Sequence, residues 1–165
     1  YWDSRLASEP MARVHARLGF ELASVEIDGD GEVLAVGLEG RVLESASVYG
    51  PFRYGDSPGP HGLLDSAVLP GAEIVVGRQG VLRVRQSQVA QAPAAAALGA
   101  SPPLDSLPMG PTGWVTPDLG GEGAFFEALR AVDLSEEGDW GLAVGDAGRV
   151  LRSEDSGRTW VLLTP

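Results

Sequence analysis

A chain of 165 residues is one domain of ordinary size, long enough to bury a core without metal or disulfide staples. Its 44% apolar and 21% charged residues exclude wholesale disorder. A net charge of -11 argues against phosphate-backbone binding, and the lack of cysteine excludes a disulfide framework, thiol catalysis and cysteine-ligated zinc.

The chain begins with Tyr1, so it is expected to be processed or cut from a longer protein, and no signal-peptide pattern is visible. Ser8-Glu9-Pro10, then Met11, Val14 and Leu18 closed by Gly19, carry helix-start and helix-stop signals. Residues 1–19 are therefore read as a partial unit with a short helix, with Trp2 where the last strand of a preceding unit would lie.

From residue 20 onward one pattern recurs. Val33-Leu34-Ala35-Val36-Gly37-Leu38-Glu39-Gly40, Glu73-Ile74-Val75-Val76-Gly77-Arg78-Gln79-Gly80 and Gly141-Leu142-Ala143-Val144-Gly145-Asp146-Ala147-Gly148 each run from an apolar stretch through Gly-x-x-Gly. A second apolar stretch follows each time, which predicts a β-hairpin with glycine supplying positive φ at the turn. The first stretch is apolar at consecutive positions, so a strand covered on both faces is expected. An upstream strand fits the template Leu-x-Ser/Ala-Val/Ala-x-aliphatic, beginning at Leu22, Leu64 and Leu129. Each unit then reads as strand, turn, strand, Gly-x-x-Gly, strand, with room for a fourth. That predicts an all-β fold of four-stranded antiparallel blades of about 40 residues, a β-propeller.

The units fall at residues 20–54, at 55–90 with a loop, and at 124–165. Between the last two, residues 91–123 hold Pro93, Ala94, Pro102, Pro103, Pro108, Pro111 and Pro117 and read as an insertion or linker. Within it, Trp114 and Val115 are expected to pin part of the tract to the surface. The longest apolar run, near residues 92–100, is too short and Pro-interrupted to span a bilayer.

After the third hairpin comes Ser153-Glu154-Asp155-Ser156-Gly157-Arg158-Thr159-Trp160, which reads Ser-x-Asp-x-Gly-x-Thr-Trp. Here the sequence resembles the Asp-box (bacterial neuraminidase repeat) propellers. With residues 141–152 directly before it, the resemblance narrows to the photosystem II assembly factor-like branch. The first two copies lack the box, since Glu44-Ser45-Ala46 and Arg83-Val84-Arg85 have no Asp-x-Gly at that offset. Ser153 and Asp155 suit turn hydrogen bonds, Gly157 suits a left-handed backbone, and Thr159-Trp160 ends in a ring to bury between sheets. These residues are expected to be structural.

The resemblance implies a non-enzymatic scaffold that binds a protein partner in assembly or maturation, with an extracytoplasmic setting favoured and no cofactor or metal. It also brings a second reading, since Asp-box proteins include sialidases: a carbohydrate-binding or glycoside-hydrolase propeller. That chemistry needs three arginines for a carboxylate, a tyrosine nucleophile and acidic partners. Arg41, Arg78 and Arg149 lie at the hairpins and are the possible ligand contacts, but Phe52-Arg53-Tyr54-Gly55 lacks the sialidase proline, and the tyrosines are Tyr1, Tyr49 and Tyr54.

Three further strings look chemical. Gly55-Asp56-Ser57-Pro58-Gly59 matches a nucleophile elbow, but Pro58 has no N–H for an oxyanion hole. Asp28-Gly29-Asp30-Gly31-Glu32 opens like a calcium loop, but Val33 stands where glycine must bend the chain. His15 and His61 have no second ligand at metal spacing.

Overall fold

The computed structural model describes residues 21–69, 72–86, 113–120, 126–135 and 137–163. The expected N-terminal helix, Trp2, His15 and most of the Pro/Ala tract lie outside the described residues. Within them, strands β1 (Leu22–Ile27), β2 (Val33–Gly37), β3 (Arg41–Ser45) and β4 (Arg53–Tyr54) form a first antiparallel sheet in chain order. A second comprises β5 (Leu63–Leu69), β6 (Ala72–Gly77) and β7 (Leu82–Gln86). The third comprises β8 (Leu129–Leu134), β9 (Gly141–Gly145), β10 (Val150–Ser153) and β11 (Val161–Leu162).

The paired glycines sit at equivalent bends, though the first of each pair works differently from the expectation. Gly37, Gly77 and Gly145 are extended, with φ of -163°, -173° and -156°. Positive φ falls instead on Glu39, Gln79 and Ala147 and on the second glycines Gly40, Gly80 and Gly148. The first glycine is needed for close approach. A Cβ there would collide with the carbonyl of Glu21, Gly62 or Ala128, the residue just before the neighbouring strand. That carbonyl accepts the N–H of the next residue, Leu38 (3.0 Å), Arg78 (2.9 Å) or Asp146 (2.8 Å). A register shift accompanies the bend in every sheet, at Leu22/Ser24, Leu63/Asp65 and Leu129/Ala131. The second copy therefore aligns through Leu63, not Leu64. A one-residue slip would turn every side chain of β5 to the opposite face.

The second sheet has its fourth strand position filled from within the stretch 91–123. Val84 and Val115 exchange both backbone hydrogen bonds, at 3.0 and 2.9 Å. Trp114 and Val115 do anchor their part of the stretch, but as buried residues of the sheet and its seam rather than on the surface. The register also equates Phe52, Trp114 and Trp160: each immediately precedes the residue opposite Glu44, Val84 or Arg152 on the third strand. An aromatic residue thus introduces the fourth strand of all three sheets.

Two hydrophobic seams join the sheets face to face. Leu34, Val36 and Val42 meet Leu63, Val75, Val81 and Trp114 between the first and second. Ala67, Ile74, Val76, Leu82, Val84 and Val115 meet Leu129, Val132, Ala143, Leu151 and Trp160 between the second and third. Val75 belongs to one seam, Ile74 and Val76 to the other, as strand alternation requires. The first strands β1, β5 and β8 pack side by side. On the third sheet only one face is covered: β9 alternates buried and exposed, unlike the fully buried β2.

Candidate functional site

The third sheet closes its last turn with a hydrogen-bonded loop. The Ser153 hydroxyl donates to Asp155 Oδ1 (3.0 Å) and accepts the Gly157 N–H (2.9 Å). Asp155 accepts the Thr159 N–H and hydroxyl, both at 2.8 Å. Ser156 and Gly157 take positive φ, and a Cβ on Gly157 would strike Ile74 of the second sheet. Trp160 is completely buried, and its indole N–H donates to the Gly157 carbonyl (2.9 Å). The carboxylate and hydroxyl are engaged in shaping this turn.

The three hairpin arginines do not form one constellation in the repeat. Arg41 and Arg149 follow the second glycine of their turns, whereas Arg78 follows the first. Arg149 pairs with Glu127 at 3.3 Å and Arg41 lies 4.0 Å from Glu39. Hydrogen bonds lower the Glu127 pKa, chiefly from its own backbone and then from Arg149. Arg78 is exposed and lies along the Gly62 backbone. Tyr49 and Tyr54 are exposed.

The other chemical-looking strings resolve into turns. Ser57 donates to the Gly59 carbonyl (2.9 Å) within its own loop. Asp28 accepts the N–H groups of Asp30 and Glu32 at 2.9 and 2.8 Å, holding the β1–β2 turn. Among the described residues, no group of three or more His, Cys, Asp or Glu is placed to hold a metal ion. Among them also, no helix is long and apolar enough to cross a membrane.

Two polar devices went unnoticed in the sequence. Asp65 accepts the Ser24 hydroxyl from β1 (2.7 Å) and the Val132 N–H from β8 (3.0 Å), so one carboxylate ties the first strands of all three sheets. Glu26 stands near it, and its pKa is raised by burial first and then by Asp65 and Asp133. The second device is Arg85, which bonds Glu73 (2.6 Å) and reaches across the seam to Glu44 (2.5 Å). Its guanidinium also lies 4.5 Å from the Trp114 ring centroid. Arg85 occupies the register position of Ser45 and Ser153, so in the second sheet an ion network stands where the third has its serine turn.

No protein-family model matches the chain, and no curated protein does. Among solved structures, the chain is similar to one described as "YCF48 bound to D1 peptide". The match has a TM-score of 0.59 at 12% identity and covers 87% of this chain and 39% of that one. The fold is a partial β-propeller. Each sheet is a blade, and the chain spans well under half the length of the propeller it matches.

Proposed function

We propose that the chain is part of a non-enzymatic propeller scaffold that binds a protein, in an assembly or maturation role like that of the photosystem II assembly factors it resembles. The observation that carries this reading is the fold likeness to YCF48, a structure solved with a D1 peptide bound. The disposition of the polar groups supports it. Arg41 and Arg149 face carboxylates of their own chain, which would compete with a substrate carboxylate. Ser57, Asp155 and Ser153 are engaged in turns.

The test is selection of a displayed peptide library on the immobilised chain, run beside a chromogenic sialoside assay. The expected result is enrichment of a common peptide pattern and no sialoside turnover. Turnover above the uncatalysed rate that disappears in Arg78→Ala or Arg149→Ala would overturn the scaffold reading.

A further inference from the structure

The register of the three blades equates Leu43, Arg83 and Leu151, which lie opposite Ala35, Val75 and Ala143 on the second strands. In the first and third blades this position is a leucine 2% and 1% exposed. In the second blade it is a half-buried arginine.

Arg83 shares a blade face with Val75, directed at the first blade. Its one hydrogen bond goes from Nη1 to the Leu82 carbonyl at 2.8 Å, and among the described residues no carboxylate lies within ion-pairing distance. Arg41, Arg53, Arg85, Arg130, Arg149 and Arg152 each face a carboxylate, whereas Arg78, Arg83 and Arg158 have none in ion-pairing distance among the described residues. Burial lowers the Arg83 pKa with no counter-charge to offset it. Arg83 lines a cavity of about 200 Å³ together with Pro58, Pro60, His61, Leu63 and Val81. His61 carries no hydrogen bond or ion pair among the described residues, and Arg78 lies beside the adjoining Gly62.

A half-buried guanidinium without a counter-charge is unfavourable, and the other two blades show that leucine suits this place. The cost is offset when an anion enters. We propose that this cavity is a binding site for a carboxylate carried on a short apolar stem, with Arg83 gripping the carboxylate and Pro58, Pro60, Leu63 and Val81 receiving the stem. One planar fork matches a carboxylate's two oxygens. A dianion would meet a single obligate cation in a chain of net charge -11. The volume is below the roughly 300 Å³ at which drug-sized pockets begin, so the guest is one residue in size. Such a group is either the end of a peptide or an acidic side chain.

The whole chain, isotope-labelled, can be titrated with N-acetyl-leucine (a terminal carboxylate), N-acetyl-glutamate α-amide (a side-chain carboxylate) and N-acetyl-leucine amide (none), following the Arg83 Nε–H and His61 ring resonances. One or both acids should saturate these shifts, and the tighter identifies the source. The neutral amide should bind at least tenfold more weakly. Arg83→Leu restores the residue of the other blades, so it should keep or raise the melting midpoint while losing acid binding at least tenfold. Equal binding of acid and amide would overturn the proposal, as would undiminished binding by a folded Arg83→Leu or Arg83→Met. No saturation by either acid below about 10 mM, weaker than the millimolar end of specific affinity, would also overturn it.

Discussion

Trp160 shows at the scale of one side chain what the sequence could convey. Its ring is completely buried in the seam against the second blade, and its N–H is satisfied by Gly157, so neither half of the side chain is left wanting. Trp160→Ala should cost about 3–5 kcal/mol by urea denaturation, the range for emptying a buried aromatic site, and a loss below about 1 kcal/mol would contradict this placement. Trp160 stood out in the sequence because a recognisable turn precedes it. Trp114 is recognisable in the sequence as an anchor but not as part of the repeat, because no turn signal marks its position. Yet Trp114-Val115 and Trp160-Val161 are the same pair, and the register places them alike. Glu26 carries a prediction of another kind. A carboxyl whose pKa is raised on folding favours the folded state only while protonated. Its contribution is fully present below the ordinary value of 4.5 and is lost as pH rises through the raised value. Urea midpoints measured from pH 4.5 to neutrality should therefore fall less steeply for Glu26→Gln than for the parent. Parallel profiles would remove Glu26 from the account.

At the scale of the strand and turn, the repeat was legible wherever backbone geometry dictated residue type. Gly37, Gly77 and Gly145 could be matched because a side chain would collide with the adjoining strand. Positive φ holds for the second glycines Gly40, Gly80 and Gly148 and not for these three, since a string of letters does not distinguish a glycine chosen for its φ from one chosen for lack of a Cβ. The start of β5 was misread by one residue because Leu63 and Leu64 are both leucines, and only the pairing shows which enters the seam. Polar substitutions for the consensus turn were invisible. Arg85 takes the place of a turn serine and instead clasps Glu73, Glu44 and the face of Trp114. Removing it alone strands two partly buried carboxylates, so Arg85→Met should cost about 3 kcal/mol. Adding Glu44→Gln and Glu73→Gln should recover most of that loss. A triple variant no more stable than the single one would show that packing on Trp114, rather than charge, makes the clasp.

At the scale of the whole molecule, burial depends on neighbours that local pattern does not specify. The β9 stretch is as apolar as β2 and β6, and the sequence predicts cover on both faces. Leu142 and Val144 are nevertheless 38% and 41% exposed, while their equivalents Leu34, Val36, Ile74 and Val76 lie in seams. The third blade thus presents a seam face with no described blade against it, in a chain that covers 39% of the propeller it matches. Leu142→Asn with Val144→Thr should change stability of this chain by less than about 1 kcal/mol, as surface substitutions do. Leu34→Asn with Val36→Thr should cost at least about 3 kcal/mol, because polar groups then enter a dry seam. Equal losses would mean that the two faces are not the same part of the repeat.

All of this depends on three blades built to one register, and that register can be measured. Scalar couplings transmitted through hydrogen bonds in a labelled sample report which carbonyl each amide N–H meets. The account predicts couplings from Leu38 to Glu21, from Arg78 to Gly62 and from Asp146 to Ala128, one per blade at the same bend. Couplings from any of these amides to a different carbonyl would contradict it.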